Sequence, residues 1–145
     1  MVDTNIIVDA SVLAKWFLPD ELARQALKIR DDFAKGDVSI SLPALVFYEM
    51  SNLLKSAVAS FRIDQNKALK VYSDFLELDF EIYFTKELAK SALEKSVQLD
   101  ISSYDASYLV LAEYLQISLY TADYKLKQKA KSHLVKNLTD YQISN

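Results

Sequence analysis

A chain of 145 residues with 51% hydrophobic and 26% charged side chains has the make-up of one folded domain with a real core, not of a disordered segment. The absence of cysteine excludes disulfides, thiol catalysis and Cys-ligated zinc; one histidine, His133, leaves nothing to build a His-rich metal site, and one glycine, Gly36, excludes a Gly-rich phosphate loop. The net charge of −3 argues against a broadly basic nucleic-acid surface and leaves room only for a local basic patch.

Ile6 to Val8 reads as a buried strand, followed by a helix from about Ser11 to Phe17. Pro19-Asp20-Glu21 is expected to open a second helix, which runs to Lys35 and stops at Gly36. Val38 to Ser41 is a short strand, and Pro43 is expected to open a helix that continues to about Ser60. Ile63-Asp64 leads into a helix ending near Glu77, then Phe80 to Phe84 forms a strand and Lys86 to about Leu99 a helix. Ser102 or Ser103 caps the next helix, which reaches Leu115. Ile117 to Tyr120 is a strand, Tyr124 to Ser132 a lysine-rich helix, and Val135 to Ile143 holds one last strand.

Strands separated by helices require parallel crossovers, so the expected fold is α/β, with a sheet covered on both faces. No repeat or linker divides the chain, so residues 1–145 form a single domain. No apolar run approaches the roughly 18 residues of a membrane helix and the N-terminus has no signal-like pattern, so the expectation is a cytoplasmic protein with no membrane partner.

In open parallel sheets, sites form outside the carboxyl ends of strands, and Asp9 and Asp123 both follow such ends. Asp9 could equally N-cap the first helix. Asp3 has a similar local setting, but too short a strand before it to reach a sheet edge. Glu49 falls at the border of the face made by Val46, Met50, Leu53, Leu54 and Ala57, where a carboxylate needs a partner or a metal. It alone lacks a helix-cap reading, and Asn52, three residues on, could orient it. Asp105, in Ser102-Ser103-Tyr104-Asp105, also fits a capping box, and Asp123 a cap before the last helix. Four like charges on one rim repel, so bringing them together calls for a hard divalent cation.

Trp16 and Phe17 read as core, His133 as a surface residue, and the nine tyrosines as scattered, without the spacing of RNA-stacking aromatics. Lys125, Lys127, Lys129, Lys131 and Lys136 make a basic C-terminal segment, by default a solvated face. Directly after Asp123, its first three lysines could also guide a phosphate backbone.

These residues bring a family into view. The segments Ile7-Val8-Asp9-Ala10-Ser11-Val12-Leu13-Ala14-Lys15-Trp16-Phe17, Leu42-Pro43 with Glu49-Met50-Ser51-Asn52-Leu53-Leu54, Tyr104 to Ala112 and Thr121-Ala122-Asp123-Tyr124-Lys125-Leu126 resemble, in order and spacing, the PIN-domain nucleases, in particular VapC-type toxins. The resemblance covers nearly the whole chain. It implies a three-layer α/β/α sandwich around a parallel sheet of about five strands. It places the family's metal-site acids on Asp9, Glu49, Asp105 and Asp123, and its small hydroxyls on Ser11 and Thr121. It further implies RNA cleavage with Mg²⁺ or Mn²⁺, a homodimer, and a small VapB-like antitoxin.

All-oxygen ligation suits Mg²⁺ or Mn²⁺ rather than zinc. On this reading Asp9, Asp105 and Asp123 are the closer ligands, and Glu49 binds through water or acts as base. Two other readings compete. A non-catalytic module of the same fold would leave the acids' repulsion unrelieved. An Asp-dependent phosphotransfer protein of the dehalogenase kind would usually carry a second Asp where Ser11 stands, and a receiver would carry an acidic pair at the first strand.

Overall fold

The β-branched run Ile6-Ile7-Val8 and its counterparts build a five-stranded parallel sheet in the computed structural model, which describes residues 4–21 and 23–142. In chain order the elements are β1 (Thr4–Val8), α1 (Ala10–Phe17), α2 (Arg24–Lys35), β2 (Val38–Pro43), α3 (Val46–Ala59) and α4 (Gln65–Leu76). They continue with β3 (Glu81–Tyr83), α5 (Lys86–Leu99), α6 (Ser103–Leu115), β4 (Leu119–Thr121), α7 (Tyr124–Ala130) and β5 (Val135–Asn137). Asp3 and Ile143 lie outside the described residues. None of the described helices is long and apolar enough to cross a membrane.

The strand order is β3-β2-β1-β4-β5, with Ile6 opposite Ile40 and Val8 opposite Tyr120. From β1 the chain winds outward through β2 to β3, then crosses back to β4 and winds the other way to β5. Right-handed crossovers therefore put α1 to α4 on one face and α5 to α7 on the other, giving the three layers expected. The reversal falls between β1 and β4, and there the carboxyl ends of the strands leave a crevice.

Covered on both faces, Ile6, Ile7 and Val8 are all buried. Beneath α1 to α4 the rings of Trp16, Phe33, Phe75 and Phe80 pack together, Phe33 stacked on Phe80 at 5.1 Å between centroids. On the other face α6 buries Ala106, Leu109, Val110, Leu111 and Ala112, and packs against β1, β2 and β4.

Several boundaries differ from expectation, for local reasons. Pro43 ends β2 opposite Tyr83 instead of opening a helix, and α3 starts three residues later. A missing N–H is tolerated at a strand end as well as in a first helical turn, so the proline alone does not decide. Likewise α2 begins at Arg24, after a turn closed by Ala23 N–H donating to the Asp20 carbonyl at 3.2 Å. Gly36 ends α2 as expected, in the left-handed conformation (φ 80°) that suits glycine. Gln116 takes the same conformation without being glycine (φ 55°), and Ile117 N–H closes back onto the Ala112 carbonyl at 3.2 Å. That turn delays β4 and brings Thr121 into it. α7 stops at Ala130 because Lys131 turns left-handed, and β5 is only three residues long before the 3-10 turn Leu138–Asp140.

Candidate active site

Asp9 occupies the corner between β1 and α1 and N-caps the helix, with Oδ1 accepting from Val12 N–H at 3.3 Å. The Ser11 hydroxyl also donates to Oδ1, and the Thr121 hydroxyl donates to Oδ2. Both hydroxyls have a second duty. Thr121 Oγ1 accepts from Asp123 N–H at 2.9 Å, and Ser11 Oγ accepts from Ala122 N–H at 3.2 Å. The β1–α1 and β4–α7 corners are thus tied together through one carboxylate. Asp9 is only 5% exposed. Burial raises its carboxyl from 3.8 to about 6, against the opposing pull of those hydrogen bonds, and the charge of Asp105 adds to the rise.

Asp123 N-caps α7, its Oδ1 accepting from Lys125 N–H at 2.9 Å and Leu126 N–H at 3.3 Å. Asp105 lies in the first turn of α6, where Ser102 accepts from its N–H at 3.0 Å. Burial pushes the Asp105 carboxyl up, and the charge of Asp123 pushes the same way. Glu49 falls in the first turn of α3 because that helix begins at Val46, so it too has the dipole-favoured position that sequence reasoning denied it. The Tyr108 hydroxyl donates to Glu49 Oε1 at 2.6 Å. Burial raises the Glu49 carboxyl, the Tyr108 bond offsets this in part, and the charges of Asp9 and Asp105 raise it further.

All four acids line one cleft of about 660 Å³, together with Ser11, Asn52 and the rings of Tyr48, Tyr104 and Tyr108. Among the described residues, no lysine, arginine or histidine lines it. Four helix N-termini meet here, as a parallel sheet requires, and their dipoles only partly relieve the repulsion between the carboxylates. The oxygen-only donor set fits Mg²⁺ or Mn²⁺. Among the described residues no three acidic or histidine side chains are grouped closely enough to hold an ion by themselves. Mg²⁺ commonly takes one or two carboxylates and keeps its waters, so a spread donor set is no obstacle.

The basic segment is divided. Lys125 is exposed beside Asp123, whereas Lys127 Nζ donates to the Val135 carbonyl at 2.8 Å and Lys129 Nζ to the Asp100 carbonyl at 2.9 Å. Those two ammonium groups hold neighbouring backbone, whereas that of Lys125 has no such bond among the described residues. Asn52 reaches the cleft but is exposed, and the group bonded to Glu49 is Tyr108. Sequence reasoning missed Tyr108, whose one clue is its position three residues after Asp105 on the same side of a helix. It also set the tyrosines aside as scattered, although three of them meet at this cleft.

Comparison with known proteins gives a consistent result. Ribonuclease VapC3 of Pyrobaculum aerophilum is 26% identical over 127 residues, spanning 86% of this chain and 94% of its own. Ribonuclease VapC9 of Mycobacterium tuberculosis is 28% identical over 127 residues, spanning 88% and 92%. Among solved structures, PAE2754 from P. aerophilum superposes with a TM-score of 0.68 at 23% identity, covering 94% of this chain and 90% of that one. VapBC2 from Rickettsia felis gives 0.65 at 14% identity, covering 92% and 98%. The PIN-domain profile matches residues 6–132, from within β1 to just past the end of α7. With the match extending over that length, the chain belongs to the PIN-domain family.

Proposed function

We propose that residues 1–145 form one nuclease domain that hydrolyses RNA phosphodiester bonds with the help of Mg²⁺ or Mn²⁺, as the toxin of a VapBC-type pair. The observation that carries this reading is the cleft itself, which four carboxylates from four helix N-termini line together, with no cationic side chain lining it among the described residues. Asp9, Asp105 and Asp123 are the residues to hold the ion, and Glu49 reaches it through water or serves as base. When bound, the ion polarises the scissile phosphate and acidifies a nearby water.

The chain's own residues supply the rest. Ser11 and Thr121 clamp Asp9, so its remaining lone pairs point in a fixed direction. Tyr108 occupies Glu49 Oε1, leaving Oε2 to accept a proton as the water oxygen bonds to phosphorus and the bond to the leaving oxygen breaks. A carboxyl raised by burial is a better proton acceptor than an ordinary one, and that is the state of Glu49.

The relatives VapC3 and VapC9 are ribonucleases by name, which supports RNA as the substrate. VapBC2 of R. felis was solved bound to a DNA fragment from its promoter, and the shared fold supports a small VapB-like antitoxin as partner. A homodimer in the cytoplasm completes the proposal.

Purified protein should cleave single-stranded RNA when Mg²⁺ or Mn²⁺ is added and stop when it is chelated. Asp9→Asn and Asp105→Asn should abolish cleavage while the fold persists. Undiminished cleavage by those variants would point to a contaminating nuclease and sink the assignment. The toxin role has its own test: expression should arrest growth, and co-expression of the adjacent gene should relieve it.

A further inference from the structure

Of nine tyrosines, four are exposed, and three of these are immediate sequence neighbours of the cleft acids: Tyr48 beside Glu49, Tyr104 beside Asp105 and Tyr124 beside Asp123. Tyr48 (79% exposed) and Tyr104 (64%) line the cleft. Consecutive helical residues point about 100° apart, so each ring flanks its carboxylate without covering it. Among the described residues neither ring packs on another ring, although the core aromatics form a continuous cluster. One exposed aromatic needs no explanation; a pair on the rim of a single acidic cleft does.

The same cleft poses a problem for the proposed substrate. Carboxylates repel a phosphate backbone, and among the described residues no cationic side chain lines the cleft to offset that. Stacking a base on a tyrosine ring carries no net charge, so it works beside carboxylates and does not compete for their cation. It is also indifferent to base identity, because every base has a π-face.

We propose that Tyr48 and Tyr104 are stacking platforms for unpaired bases on either side of the scissile phosphate, which makes RNA that is single-stranded at the cut the preferred substrate. A duplex cannot use them, since its base faces are covered by their neighbours. This rests on the nuclease reading and adds to it the residues that select and position the strand.

The test is binding in Mg²⁺ buffer, in an Asp9→Asn background that leaves the strand intact, using a labelled single-stranded RNA of about 12 nucleotides. Tyr48→Ala and Tyr104→Ala should each weaken binding about 10-fold, as loss of one stacked base implies. Tyr48→Phe and Tyr104→Phe should stay within about twofold, because the ring and not the hydroxyl does the work. A duplex of the same sequence should bind more weakly and ignore all four changes. In the cleaving protein, the alanine variants should raise KM with kcat nearly held.

The proposal is overturned if the parent does not bind the single strand, or if the alanine variants bind it as tightly as the parent. It is equally overturned if the phenylalanine variants fall as far as the alanine ones. Should the alanine variants instead lose only a protein partner, the rings belong to that interface and not to RNA. Failure of the nuclease reading looks different: tyrosine-dependent binding of the strand would persist, but no metal-dependent cleavage would accompany it.

Discussion

The Tyr108 hydroxyl bonds Glu49 Oε1 at 2.6 Å, joining residues 59 positions apart on helices that cover opposite faces of the sheet. That bond favours the ionised form of Glu49, in opposition to burial and to the charges of Asp9 and Asp105. Tyr108→Phe keeps the buried ring and removes only the donor, costing about 1.5 kcal/mol of stability. The Glu49 carboxyl then rises further, so the acid limb of the pH–rate profile should move to higher pH. Activity should fall most below neutrality and least in alkali. Superimposable profiles for the two proteins would remove Glu49 from the proton-handling step.

Thr121 makes a second prediction because it serves Asp9 and Asp123 at once. Thr121→Val keeps the branched shape of a fully buried side chain and deletes its hydroxyl. The loss should be about 1–3 kcal/mol, since a buried carboxylate oxygen gives up its donor. It should be larger at pH 8, where Asp9 is ionised, than at pH 5, where it is largely protonated. Urea denaturation at both values checks this, with Thr121→Ser as the control that retains the hydroxyl. Equal losses at the two pH values would contradict the role given to the bond.

Asp9 also sets the direction of pH dependence for the metal-free protein. Its carboxyl stands near 6 in the fold against 3.8 for the free side chain, a difference equivalent to about 3 kcal/mol. Below 3.8 both states hold the proton and nothing is lost. As pH rises through 6 the folded state must give up a proton that burial favours, so stability falls. Glu49 and Asp105, also raised, tilt the same way. Metal-free protein should therefore melt at a higher temperature at pH 5 than at pH 8, and Asp9→Asn should flatten the slope. Added Mg²⁺ should recover more stability at pH 8 than at pH 5. A variant no more stable than the parent at pH 8 would refute this account.

How much of this was legible in the residues follows from the range of each interaction. The strand that delivers Asp9 is written locally in Ile6-Ile7-Val8, and the caps at Asp9, Ser102 and Asp123 lie within three residues of the groups they bond. The convergence of the acids follows from parallel topology, because every strand then ends on the same edge. Pro43 misled because proline suits both a strand end and a helix start, and the error carried over to Glu49. With α3 begun too early, Glu49 lay in mid-helix and its first-turn position was hidden. Tyr108 was missed for another reason: its partner is 59 residues away, and its one local clue, a position three residues after Asp105, does not say that its hydroxyl bonds Glu49.

The basic helix yields the last prediction, since its lysines are chemically alike but differently engaged. Lys127 and Lys129 spend their ammonium groups on the carbonyls of Val135 and Asp100, while Lys125 stands exposed next to Asp123. Each phosphate contact a lysine makes adds about one to the slope of log affinity against log salt. Lys125→Ala should therefore weaken RNA binding and lower that slope by about one. Lys129→Ala should leave the slope alone, and Lys127→Ala should cost about 1 kcal/mol of stability by freeing β5 from α7. Salt titrations of the three variants separate the cases. If all three lower the slope equally, the helix is one mobile basic strip, and the partition read from its hydrogen bonds is wrong.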